Sequence, residues 1–387
     1  MLSTSKNKAV VGLDVEAGSV AATEVASNGD PSVTGFGTLS LAPGVFRDGE
    51  VSDPEALGLS LKELFSKNKL SKTVRVGVAS QRVAVRTLRL PMIEDPKELD
   101  TAIRFQAQEH IPMPLEHAVL DWRVVGHASA ENGQQTVDVV VVAARRDMVG
   151  GLMEALNSAG VRPVGIDLSA FGMIRALGRE SYPAIGPGGF VDAPAQGASS
   201  YEERMDGQVE PGSGEELDAS PENAPAKLYC NLGDVTNLAV GRGSTCLFTR
   251  VSHFGIEGIA QKLAERRQLT LEHARQWLAH VGMEKPGEEI EGDPETISAA
   301  RESLAEGAAR LVDELRLSLE FYAAQEGAVP IESIVTCGPG TAVPGLAERL
   351  QRDLGLRFEL GRPRALGHLD KATAARLTLS FGLALEE

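Results

Sequence analysis

The stretch Val11-Gly12-Leu13-Asp14-Val15-Glu16-Ala17-Gly18-Ser19 decides how this chain is read. An apolar, strand-like run ends in an acid, turns through small residues and enters a second apolar run at Val20. Far along the chain, Asn231-Leu232-Gly233-Asp234-Val235-Thr236-Asn237 has the same design. A third segment, Cys337-Gly338-Pro339-Gly340-Thr341, lies between a short strand (Ile334, Val335) and a helix beginning near Pro344. Two facing hairpin turns can offer backbone N–H groups to a phosphate tail, and a strand–Gly–helix element can seat a nucleoside. The order and spacing of the three segments carry this inference, which no single glycine turn would support.

The pattern around these segments predicts layered α/β architecture. Residues 9–41 read as three strands, with Asn28-Gly29-Asp30-Pro31 as a turn, then a helix near 54–67 and a strand at 74–79. A compact βαββα unit follows, from a strand at 83–90 to a helix ending at Ala159. Within it, Ile111-Pro112-Met113-Pro114 breaks a helix that starts near Pro96. A strand and helix at 163–179 return from this unit. From Lys227 the order strand–turn–strand–strand–helix repeats, so two similar halves would face each other across a cleft. Helices are expected near 255–267 and 270–281, and a long one over 298–325, where Leu304, Ala308, Leu311, Leu315, Leu319 and Tyr322 step along one face. The last elements are a strand at 331–336, a helix at 344–353, a strand at 356–360 and a helix near 371–385.

Composition narrows the classes of function. A net charge of −16 argues against nucleic acid as a partner, because phosphate backbones need a basic face. Much of that charge is local: residues 180–226 carry ten acids against one Arg, with six Pro and seven Gly, and read as a disordered insert. Cys230, Cys246 and Cys337 form no C-x-x-C pair and read as reduced thiols in a cytoplasmic protein. The longest apolar run, Val139 to Ala144, is far short of the ~20 residues that span a bilayer. Met1 to Lys8 has no apolar signal region, and the seven His show no metal-ligand spacing.

The three loops resemble those of the actin-like ATPase superfamily, with Asp14 and Ala17-Gly18-Ser19 as first phosphate loop, Gly233 and Thr236 in the second, and Gly338 and Gly340 as adenosine loop. Within that superfamily the chain is similar to the PilM family of type IV pilus assembly proteins, relatives of the cell-division protein FtsA. The likeness lies in Leu41-Ala42-Pro43-Gly44-Val45-Phe46-Arg47-Asp48-Gly49-Glu50-Val51, Arg89-Leu90-Pro91-Met92 and Phe105 through Leu115. It continues in Phe248-Thr249-Arg250, Leu317 through Tyr322 and Pro344-Gly345-Leu346. The resemblance implies a duplicated, ribonuclease H-like two-lobed fold carrying an FtsA-type inserted subdomain. The first lobe would be 1–83, completed by 161–180 and 366–387; the insert 84–160; the acidic segment 181–226; and the second lobe 227–365, with a helical subdomain at about 255–326.

Each polar candidate has a local alternative. Asp14 could hold Mg²⁺ through water, or simply cap a strand-end turn. Ser19 and Thr236 could donate to phosphate oxygens or stabilise their own turns. Gly338 and Gly340 could admit a nucleoside or only make a strand-to-helix turn, and Glu257 matches a region that touches adenosine in relatives but also suits a helix start. Asn231 stands where relatives carry a second-loop Asp, and it supplies neither charge nor a general base. Glu16 and Asp234 add negative charge to loops that would face phosphates, and Pro339 removes one N–H. Nucleotide binding, as ATP or ADP with Mg²⁺, is therefore expected without efficient hydrolysis, and no catalytic residue is named. The resemblance implies a cytoplasmic scaffold, peripheral to the inner membrane, that docks the N-terminal cytoplasmic tail of PilN in a groove between first lobe and insert and meets pilus assembly ATPases. An actin-fold ATPase or small-molecule kinase, and an FtsA-like filament protein on the membrane, are the competing readings.

Overall fold

The protein is described by a computed structural model covering residues 9–385, except 27–30, 130–134, 179, 181–224, 244 and 326. The expected acidic insert thus lies outside the described residues apart from Pro225 and Ala226. Ala226 is buried and already opens a strand.

The first lobe opens with β1 (Val10–Val15), β2 (Ser19–Ala26) and β3 (Ser32–Ser40), a small hairpin of β4 (Phe46–Arg47) and β5 (Glu50–Val51), then α1 (Pro54–Asn68) and β6 (Thr73–Val78). Asp53 caps α1 by accepting from Ala56 N, Pro54 fills the first turn, and Leu57, Leu61, Leu64 and Phe65 face the sheet. The chain then leaves for the insert: β7 (Val83–Pro91), α2 (Pro96–His110), β8 (Ala118–Ser129), β9 (Gln135–Arg145) and α3 (Arg146–Ser158). Its sheet has the order β7-β9-β8, and Ile103 of α2 packs with Val139, Val141 and Ala143 in a separate core. The chain returns through β10 (Arg162–Leu168) and α4 (Ser169–Leu177).

The second lobe contains β11 (Ala226–Leu232), β12 (Thr236–Arg242), β13 (Thr245–Ser252), α5 (Ile256–Arg267), α6 (Leu271–Val281) and α7 (Pro294–Ala323). After these come β14 (Ile331–Cys337), α8 (Leu346–Leu354), β15 (Arg357–Leu360) and α9 (Lys371–Ala384). The α7 helix starts earlier than its apolar stripe alone predicts. Asp293 caps it by accepting from Thr296 N, and Pro294 occupies the first turn, a start signal that the acidic surroundings obscure.

The two large sheets have matching topology. Their orders are β3-β2-β1-β6-β10 and β13-β12-β11-β14-β15, each with an antiparallel meander continued by parallel strands. β1 and β11 hold the middle of each sheet and are buried almost throughout, as strands covered on both faces must be.

Between the sheets lie α4 and α9, in a shared core that joins Ala21 and Val25 of the first lobe to Tyr229, Ala239 and Val335 of the second. Helix α9 lies very close to β1. A Cβ on Gly12 would sit 1.8 Å from the Ser380 carbonyl oxygen, and Thr23 and Ser380 share a buried hydroxyl–hydroxyl hydrogen bond of 2.7 Å. Arg376, one turn before Ser380, therefore projects from the same helix face toward the ends of the central strands. Replacing Gly12 with Ala is expected to lower stability by about 1–3 kcal/mol in urea unfolding by forcing α9 away. Gly150→Ala, at a position in α3 with nothing within 4 Å of an added Cβ, should be neutral or stabilising.

Candidate functional site

The three loops quoted at the start converge. Glu16 and Ser19 close the first turn with paired backbone bonds (Glu16 N to Ser19 O, 2.9 Å; Ser19 N to Glu16 O, 3.3 Å). Across the cleft, Ala17 N donates to Asp234 Oδ2 at 2.6 Å, joining the first lobe directly to the second. Asn231 Nδ2 lies 3.5 Å from Glu16 Oε1, and Cys337 Sγ donates to Asn231 Oδ1 at 3.7 Å, which brings in the third loop.

Arg376, on α9, was not expected here. Its Nη1 donates to Asp14 Oδ2 at 2.5 Å, its Nε to Ser19 Oγ at 2.8 Å and its Nη2 to Ser19 O at 2.9 Å, while Glu16 Oε2 lies 3.7 Å from Nε. The cluster is enclosed: Asp14 is 3% and Glu16 8% exposed. Buried charges persist only when paired, and this guanidinium lies against two carboxylates at once, those of Asp14 and Glu16. Burial alone would lower the Arg376 pKa, but Glu16 and Asp14 raise it instead. Burial pushes Glu16 up to about 8, with Arg376 opposing and Asp234 and Asp14 reinforcing the rise. Burial likewise raises Asp234 to about 6 against the backbone bonds that hold its charged form.

The remaining candidates occupy the walls. Thr236 donates its hydroxyl to Phe254 O at 2.7 Å, so it ties its own hairpin to the start of α5. Glu257 forms a fork with Arg275 of α6 (2.8 and 2.5 Å), a second arginine that the sequence reading missed. Gly18 lies under that guanidinium, since a Cβ there would meet Arg275 Nη2 at 2.2 Å. A Cβ on Gly233 would meet Glu16 Oε1 at 2.3 Å, and one on Gly340 the Leu232 Cβ at 2.6 Å. Gly338, at φ +87°, would press a Cβ to within 2.2 Å of Asn231 Oδ1. These glycines let the three loops approach one another, and Gly338 in addition needs its left-handed backbone. Beside them is a cavity of about 270 Å³ that includes Ile256, Leu278, Pro339, Val343, Glu257 and Arg275 in its lining.

The Asp14 carboxylate faces a guanidinium, and among the described residues no group of three or more His, Cys, Asp or Glu side chains is placed to hold a metal ion.

Two outcomes check these electrostatics. Arg376→Met should cost about 3–5 kcal/mol in denaturant unfolding, because it leaves Asp14 buried and uncompensated; adding Asp14→Asn should recover part of the loss. The folded-state pKa of Glu16 exceeds its ordinary value of 4.5, so folding favours the protonated form. Its contribution to stability is complete below about 4.5 and is lost as pH rises through about 8, with Asp234 acting in the same direction. Thermal unfolding measured across that window should show the midpoint falling with pH, and Glu16→Gln should flatten the slope.

With the geometry in place, comparison with known proteins is informative. Residues 12–186 match the family model described as type IV pilus assembly protein PilM. A solved structure described as the PilM–PilN type IV pilus biogenesis complex contains a chain 23% identical, with a TM-score of 0.71 over 98% of both chains. MreB5 of Spiroplasma citri, solved bound to AMPPNP and bound to ADP, is 11% identical with a TM-score of 0.51 in each case. The alignments cover 97% of this chain and 95% and 94% of the respective MreB5 chains. The expected two-lobed fold is the one found: residues 12–186 match the PilM family model, and the chain as a whole shares the actin-like fold of these solved structures.

Proposed function

We propose that the chain is a scaffold of the type IV pilus assembly machinery that docks an extended peptide, the cytoplasmic N-terminal tail of a PilN-like inner-membrane protein. The observation that carries this reading is the reach of the PilM match, residues 12–186, which takes in both the first-lobe strands and the insert. Where those parts meet there is a cavity of about 360 Å³ lined in part by Val78, Gln81, Val83, Val85, Leu168 and Arg250. β7 and β10 stand at the ends of their sheets, and Val164 and Ile166 of β10 are exposed. A sheet end beside a groove of mixed polar and apolar lining suits an added strand, whose backbone bonds supply affinity while pockets select alternate side chains.

This partner would hold the protein at the inner membrane from the cytoplasmic side. No helix among the described residues is long and apolar enough to cross a membrane. The central cleft is read as a nucleotide-type site between the lobes, by analogy with the AMPPNP- and ADP-bound relative. In this reading Gly338, Gly340 and Glu257 lie at its nucleoside end, and Asp14, Ala17, Gly18, Ser19, Asn231, Gly233 and Thr236 at its phosphate end. Asn231 offers no base there, so a structural ligand is favoured over turnover.

Calorimetry with a synthetic peptide of a PilN-like cytoplasmic N-terminal tail tests the scaffold role. Binding at micromolar affinity or tighter is expected, weakened tenfold or more by Val85→Glu without loss of folding. A peptide that shows no heat at high micromolar concentration would contradict the reading.

A further inference from the structure

The Ala17 N–H belongs to the turn that would face a phosphate tail, and in this chain it is already bonded. Asp234 Oδ2 accepts from it at 2.6 Å, while Asp234 Oδ1 accepts from Val235 N at 2.7 Å. One carboxylate thus bridges the two hairpin loops, as an anionic ligand between them would. The cationic position beside it is filled as well. Arg376 donates to Asp14 Oδ2, to Ser19 Oγ and to Ser19 O from 2.5 to 2.9 Å. Asp14, Ala17, Ser19 and Thr236, the groups expected to serve a phosphate tail or its cation, are therefore all bonded within the chain.

The cavity beside these groups, about 270 Å³, is bounded where it meets the loops by Glu16, Gly18, Ser19, Asp234 and Arg376. Ile256, Leu278, Ala279, Pro339 and Val343 also line it, with Glu257, Glu272 and Arg275 among its polar groups. An apolar-walled slot with a few polar groups suits a flat nucleoside. A polyphosphate extending from it would run toward Asp234, a like charge in an enclosed setting where repulsion is weakly screened.

We infer that Asp234 and Arg376 set the ligand class of this cleft: it accepts a nucleoside and turns away a nucleoside polyphosphate, whose tail meets a seat occupied by the chain's own carboxylate and guanidinium. The inference rests on the nucleotide-type reading of the cleft and narrows it. Hydrogen bonding supports it independently of charge, since a phosphate oxygen can reach the Ala17 N–H only after Asp234 has left it.

Isothermal titration of the full chain with adenosine and with ATP, each with Mg²⁺ and with EDTA, tests this. The wild-type protein is expected to bind adenosine at least as tightly as ATP. Asp234→Ser, which removes the bridging carboxylate, is expected to raise the ratio of ATP affinity to adenosine affinity tenfold or more. Asp234→Asn keeps the size and one acceptor and removes the charge, so it should raise the ratio less and guard against a misfolded serine variant. Wild-type protein that binds ATP tenfold more tightly than adenosine would overturn the inference. So would an unchanged ratio in both variants while both ligands bind. No binding of either ligand by any of the three proteins would instead sink the nucleotide-type reading beneath it.

Discussion

The Arg376 guanidinium is the charge that makes the centre of this molecule possible. Asp14, Glu16 and Asp234 are all brought into an enclosed cleft, where carboxylates without a counter-charge would hold the lobes apart. A single side chain from α9 reaches Asp14, Ser19 and Glu16, and so converts a repulsive cluster into a tie. The packing beneath it follows from the same need. Gly12 lets α9 lie directly on β1, and the Thr23–Ser380 hydrogen bond sets the helix in register.

That arrangement gives the fold an unusual balance between its two halves. Each lobe has its own sheet and its own core, yet α4 and α9 form a third core shared by both, and the cleft above it is bridged by Ala17 N–H and Asp234. The groove proposed for a partner peptide lies near the base of this junction, where β6, β7 and β13 come together. A scaffold whose lobes are fixed by internal contacts would offer that groove in one shape, and a preorganised groove lowers the ordering cost of binding a flexible tail.

Much of this was legible in the sequence. Apolar runs broken by Gly and Pro placed most strands to within a few residues. The repeat of strand–turn–strand–strand–helix from Val11 and again from Lys227 revealed the duplication before any coordinates. The three loops could be named because small residues at the end of an apolar run have few other uses. Side-chain partners across the cleft were not legible, because Ala17 and Asp234 are separated by most of the chain and no local pattern records their contact. Arg376 did leave a trace: it is the one charged residue among Ala372–Ala384, a run otherwise apolar or hydroxylated, and a charge inside a core-type helix calls for a buried partner. The early start of α7 was missed for a different reason, since the acids flanking Asp293-Pro294 resemble a loop.

The most direct measurement is amide hydrogen exchange at Ala17, resolved by NMR in protein freed of every ligand. If the chain's own carboxylate joins the lobes, this loop proton exchanges as slowly as those of the neighbouring strands and loses its protection once the Asp234 carboxylate is removed. Exchange at the rate of an open surface turn in the wild-type protein would contradict the account.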